Sequence, residues 1–151
     1  MLCRSWLAAY SGIIADEVIA EVNATRRANA HERFANPQGL HVGELDGEIV
    51  CVGAFVESDH ADLPGYLNIK VFYVDPPHFR RGIGRQFMDY ALDLACAGGY
   101  NGVLLDVLED NYNARRFYES CGFVFDGDST VWQGHVSLRY VKKEFISIAK
   151  R

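Results

Sequence analysis

The chain has no apolar run long enough to cross a bilayer, and no secretory signal stands at its start. A spanning helix needs about 20 consecutive apolar residues. The expectation is a cytoplasmic protein with no membrane partner. A positive charge balance is also lacking: 15 Lys and Arg against 20 Asp and Glu leave a net charge of −5. Nucleic-acid binding calls for a basic face, so no nucleic-acid partner is expected. Cysteine is sparse. Cys3, Cys51, Cys96 and Cys121 are widely spaced, with no C-x-x-C pair and no Cys/His cluster at metal spacing. This predicts free, mostly buried thiols in a reducing compartment and no metal site. Internal repeats and low-complexity segments are absent too. A composition of 49% hydrophobic residues over 151 positions suits one domain, residues 1–151, with a full core.

What is present alternates between helical and strand periods. Trp6, Ala9 and Tyr10 give residues 3–10 helical spacing, broken at Gly12. Asp16 reads as the N-cap of a second helix running to about Arg33, with Val18, Ile19 and Val22 as its apolar face. Residues 40–57 read as a hairpin turned at Asp46-Gly47. A polar loop, 58–65, leads to a strand over 66–74 that Pro76-Pro77 stops. Ile83, Phe87, Ala91 and Leu94 mark a helix over 83–97, ended by Gly98-Gly99. Residues 102–109 are almost all apolar, as in a central strand buried on both faces. Asn111 opens a short helix ending near Cys121-Gly122; 123–125 and 134–141 complete the list as strands. The order predicts an α/β layered sheet.

The stretch FRRGIGRQFM, residues 79–88, combines bare backbone with positive charge at the start of a helix. The first N–H groups of a helix lack intrahelical partners and carry the positive end of its dipole, which suits a phosphate. Gly82 and Gly84 allow close approach, and Arg80, Arg81 and Arg85 add charge. An ordinary strand-to-helix turn with surface arginines fits the same residues. No Walker lysine follows, and Phe87 stands where a dinucleotide fingerprint has its third glycine.

Two segments together, FYVDPPHFRRGIGRQFM and LLDVLEDNYNARRFYESCGF, resemble the GNAT superfamily of N-acetyltransferases. The first is similar to that family's motif A. The second matches its N-x-x-A-x-x-F-Y-E-x-x-G-F unit at Asn111, Ala114, Phe117, Tyr118, Glu119, Gly122 and Phe123. The likeness runs from about residue 3 to 143 and includes SWLAAYSGII. It implies one domain with a mixed, mostly antiparallel sheet flanked by helices, whose first strand is missing here because Met1 lies almost at the first helix. It also implies acetyl-CoA as acetyl donor. Amides from Arg81 through Gly82, Ile83 and Gly84 to Arg85 would cradle its pyrophosphate, beside Arg80. The backbone of Phe72 and Val74 would pair with its pantetheine arm in a sheet opened between 66–74 and 102–108. Phe79 occupies motif A's Gln/Arg slot, so the grip is expected to rest on amides.

By the same resemblance Tyr118 is the general acid for the departing thiolate, with a core tyrosine as the plain alternative. Asn111 binds cofactor, caps its helix, or does both. Many relatives carry a glutamate base where Asn68 stands here; in those that acetylate ribosomal-protein N-termini a glutamate sits five residues before the motif Asn, which is Asp106. Between Leu105 and Val107, Asp106 looks like a lone buried carboxylate whose pKa burial would raise. The alternative is that it faces solvent or pairs with an arginine. Glu109 is a weaker candidate. Exposure of Asp106 would favour an α-amine substrate, over about 10% neutral at pH 7 against about 0.04% for a lysine amine.

The acceptor would be a small-molecule or peptide amine, met by an acidic loop containing Glu57, Asp59, His60 and Asp62; Trp6, Tyr10, Tyr73 and Trp132 are either its aromatic wall or core. A homodimer through the last strands or the open edge is possible on this pattern. The competing readings are a non-catalytic acyl-CoA-binding or sensing module on the same scaffold, and an interaction protein without cofactor.

Overall fold

A computed structural model of the chain describes residues 1–30 and 37–144. Helices α1 (Leu2–Tyr10) and α2 (Asp16–Ala28) come first. Then follow strands β1 (Leu40–Leu45), β2 (Glu48–Glu57) and β3 (Tyr66–Val74), helix α3 (Ile83–Ala97), strand β4 (Gly102–Leu108), helix α4 (Tyr112–Ser120), and strands β5 (Val124–Trp132) and β6 (His135–Lys142). The six strands form one sheet in the order β1-β2-β3-β4-β6-β5. β3 and β4 run parallel and the other neighbours antiparallel, so the expected mixed, mostly antiparallel α/β sheet is what forms. After the two helices the sheet begins with β1 at one edge; β5 is the other.

Two apolar layers sandwich the sheet. On one face Val103, Leu105 and Val107 of β4 pack with Phe87, Met88, Ala91 and Ala95 of α3. On the other, Leu108 joins Trp6, Ile14 and Ile19 from the α1–α2 region. Alternation along β4 therefore supplies both cores, as its apolar sequence required. Asp106 is the exposed position in that strand.

Three boundaries differ from the sequence expectation. Ala15, not Asp16, is the N-cap of α2; Asp16 and Glu17 fill the first turn, where the helix dipole favours negative charge. That helix ends at Ala28, and Arg33 lies outside the described residues. The strand expected over 123–125 continues to Trp132. Its D-G-D-S centre is an irregularity in register between Phe125 and Ser129, with Gly127 at φ 97°. The hairpin turn comes later, at Gln133 and Gly134, both with positive φ.

Candidate active site

Pairing between β3 and β4 stops at Ile69 opposite Leu105. At the same level the β2–β3 register slips, so that Lys70 is skipped between the pairs Phe55–Ile69 and Ala54–Val71. A bulge of this kind bends its strand and ends pairing. The rest of β3 thus leaves β4 and opens a gap in the sheet. The Asp75 N–H donates to Val50 O at 2.8 Å. Alternation along an antiparallel strand then turns the N–H and C=O of Phe72 and Val74 away from β2, toward the gap. The Val74 carbonyl also accepts from Ser5 Oγ at 3.3 Å. Arg4 clamps the adjacent Asp75 through both carboxylate oxygens, at 2.8 and 2.6 Å. This guanidinium holds the Asp75 carboxyl below the usual range. Helix α1 therefore fixes the far end of β3, a contact that the sequence did not reveal.

At the head of the gap lies the glycine loop. Gly82 is the N-cap of α3, at φ 79°, and supplies no side-chain cap. The Gln86 N–H donates to Gly82 O at 3.0 Å, so the amides of Ile83, Gly84 and Arg85 precede the first intrahelical bond. Arg80 also has positive φ, at 59°. Arg81 contacts His78 Nδ1 at 3.0 Å; Arg85 donates to Ser120 O at 3.1 Å and approaches Asp89 at 3.5 Å. Their side chains therefore have local partners, while the backbone amides point out of the helix end. Phe79 is 51% exposed and brings no polar group. A Cβ placed on Gly84 would lie 3.5 Å from Phe117 and 3.6 Å from Val74 Cγ2. Loop, gap and α4 thus meet at one point.

Tyr118 lies at that junction. Its ring is 6.3 Å from Phe72, 5.5 Å from Phe117 and 6.1 Å from Phe123. Burial, and then the nearby Tyr73 phenol, push its pKa well above the ordinary tyrosine value. The phenol is accordingly protonated at every working pH. Asn111 caps α4, its Oδ1 accepting from the Ala114 N–H at 3.2 Å, so its capping reading is met. Glu119 accepts from Tyr140 Oη at 2.8 Å, and the Glu109 carbonyl accepts from Arg115 at 2.8 Å. These contacts brace α4 against the sheet.

Asp106 departs from expectation in one respect. It is exposed rather than buried. Enclosure by surrounding protein still raises its carboxyl pKa; His60, Arg139 and Lys70 pull it back. It shares a strand face with Leu108, and so looks toward α1 and α2. Asn68, 2% exposed, pairs in register with Leu104. Asp106 therefore stands one pleat beyond the asparagine, on the same face, where the gap has opened.

The loop expected to be acidic is partly neutralised. Asp59 pairs with Lys70 at 3.1 Å. Buried Arg139, opposite Asp106 in register, binds Asp62 at 2.7 Å, Asp126 at 2.8 Å and Asp128 at 3.1 Å, with His60 Nδ1 at 3.5 Å. This network ties loop 58–65 to the β5–β6 hairpin. Sequence reading missed it, although an arginine flanked by Leu138 and Tyr140 in a core strand was a signal. Arg139→Gln is expected to lower the melting temperature, because Asp62, Asp126 and Asp128 lose the one cation they share; thermal unfolding of the two proteins checks it. Trp6, Tyr10, Tyr73 and Trp132 do form one aromatic cluster, with Trp6 at 4.2, 6.4 and 6.1 Å from the other three rings.

Among the described residues no cluster of His, Cys, Asp and Glu could hold a metal, and no helix is long and apolar enough to cross a membrane.

Residues 4–123 match the model of the Acetyltransferase (GNAT) family. The chain is 35% identical over 99 residues to a mycothiol acetyltransferase of Beutenbergia cavernae, covering 64% of this chain and 32% of that protein. It is 39% identical over 72 residues to a streptothricin acetyltransferase of Streptomyces lavendulae, covering 47% and 38%. The chain thus spans well under half the length of both. The PaiA N-acetyltransferase of Thermoplasma acidophilum, solved with coenzyme A, superposes with a TM-score of 0.70 at 16% identity, covering 91% of this chain and 86% of that one.

Proposed function

The chain belongs to the GNAT family of acetyltransferases, and on that premise we propose that it moves the acetyl group of acetyl-CoA to a primary amine by direct attack. The observation that carries this reading is the gap between β3 and β4, headed by the glycine loop of α3 and flanked by Tyr118. The pyrophosphate would rest on the amides of Arg81 to Arg85, with Arg80 adding charge and Asn111 securing the adjoining helix. The pantetheine arm would run as an added strand along Phe72 and Val74.

In the reaction, a neutral amine attacks the thioester carbonyl from the α1–α2 side. The ammonium that forms loses its proton to Asp106, directly or through water, and the C–S bond breaks as Tyr118 gives its proton to the thiolate. Exposure of Asp106 favours the water-mediated route and an amine already partly neutral, such as an α-amine. The relatives named for mycothiol and streptothricin acetylation support acetyl transfer here without naming the acceptor.

The test is thiol release from acetyl-CoA with a panel of amines, together with the rise in melting temperature that bound CoA must produce. Exposed Phe79, in a slot where a polar contact is usual, favours the alternative of a non-catalytic CoA-binding module; stabilisation by CoA with no turnover on any amine would decide for it.

A base whose pKa is raised loses activity as pH falls through that raised value. The acid limb of kcat/KM should therefore lie above the ordinary aspartate range of about 4. Asp106→Asn should lower kcat/KM by about 10²-fold at neutral pH and remove the limb. An unchanged pH profile in the variant would rule out Asp106 as base.

A further inference from the structure

One cation on the acceptor side is unused by this mechanism. Arg26, on α2, lies with its guanidinium carbon 4.0 Å over the Trp6 ring. One of its terminal nitrogens, Nη1, is buried without a hydrogen-bond partner. So is the indole nitrogen of Trp6, a residue only 7% exposed. Asn23, one turn earlier on α2, donates to Cys3 O at 3.3 Å but leaves its Oδ1 unpartnered. Unmet buried donors are uncommon and call for an explanation. Among the described residues Arg4, Arg85 and Arg139 each have a carboxylate within 4 Å, whereas none pairs with Arg26.

The position of this cation is informative. Trp6 contacts Tyr10, Tyr73 and Trp132. The hydroxyls of Tyr10 and Tyr73 share a hydrogen bond, and the charge of Arg26 is felt at Tyr10. Tyr73 lies between Phe72 and Val74, on the open stretch of β3. Arg26 thus borders the place where the amine must approach. Across the same face the balance is reversed: Asp106 is exposed, and three carboxylates surround the single guanidinium of Arg139. The acceptor side is dipolar, positive under α2 and negative at β4–β6.

We propose that Arg26 and the indole N–H of Trp6 form an anion subsite that takes a carboxylate of the acceptor, while its amine turns toward Asp106. This rests on the acetyltransferase reading and narrows its substrate to an amine that also bears a carboxylate. A guanidinium held over an indole keeps its fork of donors near the indole N–H, and such a fork suits bidentate carboxylate recognition. A doubly cationic amine would set its second charge against Arg26 and be disfavoured.

The experiment measures acetyl transfer to three amines of one chain length: an ω-amino carboxylate, its primary amide and the matching diamine, in four- and six-carbon series. At one length or both, the carboxylate should exceed its amide in kcat/KM by about 10- to 100-fold, as expected for a charge-assisted contact. Arg26→Gln should bring that ratio close to one, and Arg26→Lys should recover part of it. A merely structural role would lower all three amines together and leave the ratio unchanged, which would overturn the subsite. Preference for the diamine, or no turnover of any of the six amines, would overturn it as well. Failure of acetyl-CoA to raise the melting temperature would instead overturn the acetyltransferase reading itself.

Discussion

Replacing Tyr118 with phenylalanine is expected to lower kcat by about 10²- to 10⁴-fold, the usual worth of a positioned acid. Stabilisation by acetyl-CoA should persist, because the substitution removes only the hydroxyl and keeps the ring. That ring packs against Phe72, Phe117 and Phe123, so the fold should tolerate the change. The physical basis is the state of the phenol. Burial raises its pKa, which keeps the proton on oxygen through the pH range of any assay. A phenol of this kind is a weak acid for a free thiolate, but it can deliver its proton as the C–S bond breaks and negative charge accumulates on sulfur. Without the donor the thiolate must leave unprotonated. Equal kcat in the two proteins would remove Tyr118 from the mechanism.

The second large effect concerns the glycine loop. Valine at Gly82 or Gly84 should weaken CoA binding by about 10²-fold or more, since each lost charge-assisted contact to a phosphate is worth about 1.5–3 kcal/mol. The two positions act differently. Gly82 has φ 79°, where a branched side chain is strained, so Gly82→Val should also lower the melting temperature. At Gly84 a Cβ meets Phe117 and Val74 at ordinary distances. Gly84→Ala is therefore a control for the fold, and Gly84→Val adds bulk at the point where the phosphate would approach. Arg80→Ala should cost less than about fivefold, as exposed charges do. Titration of CoA against the four variants checks the pattern. Abolition by Arg80→Ala, with normal binding by the glycine variants, would show that side chains and not amides hold the anion.

Much of this was visible before the structure. Strong periodicity in residues 83–97 and the apolar run 102–109 specified α3 and β4, because each pattern has one secondary structure that buries it. Asp46-Gly47 fixed the first hairpin, both residues having positive φ. The full length of β5 was not legible for the opposite reason. The strand signal at 123–125 is local, whereas Asp126 and Asp128 extend the strand where Arg139 of β6 binds them. Arg26 carried no local signal either, its environment being made by a ring twenty positions away.

The sequence by itself determined the element order, the anion-ready loop at Gly82 and Gly84, and the placing of Tyr118 and Asn111 on a helix after the central strand. Those features depend on local periodicity, chirality and capping, which operate over a few residues. Tertiary structure alone decided that β3 leaves β4 after Ile69, that Asp106 faces the open side, and that Arg26 and Arg139 set opposite charges across it. Strand register, burial and charge pairing join residues far apart in the chain, so no stretch of sequence contains them.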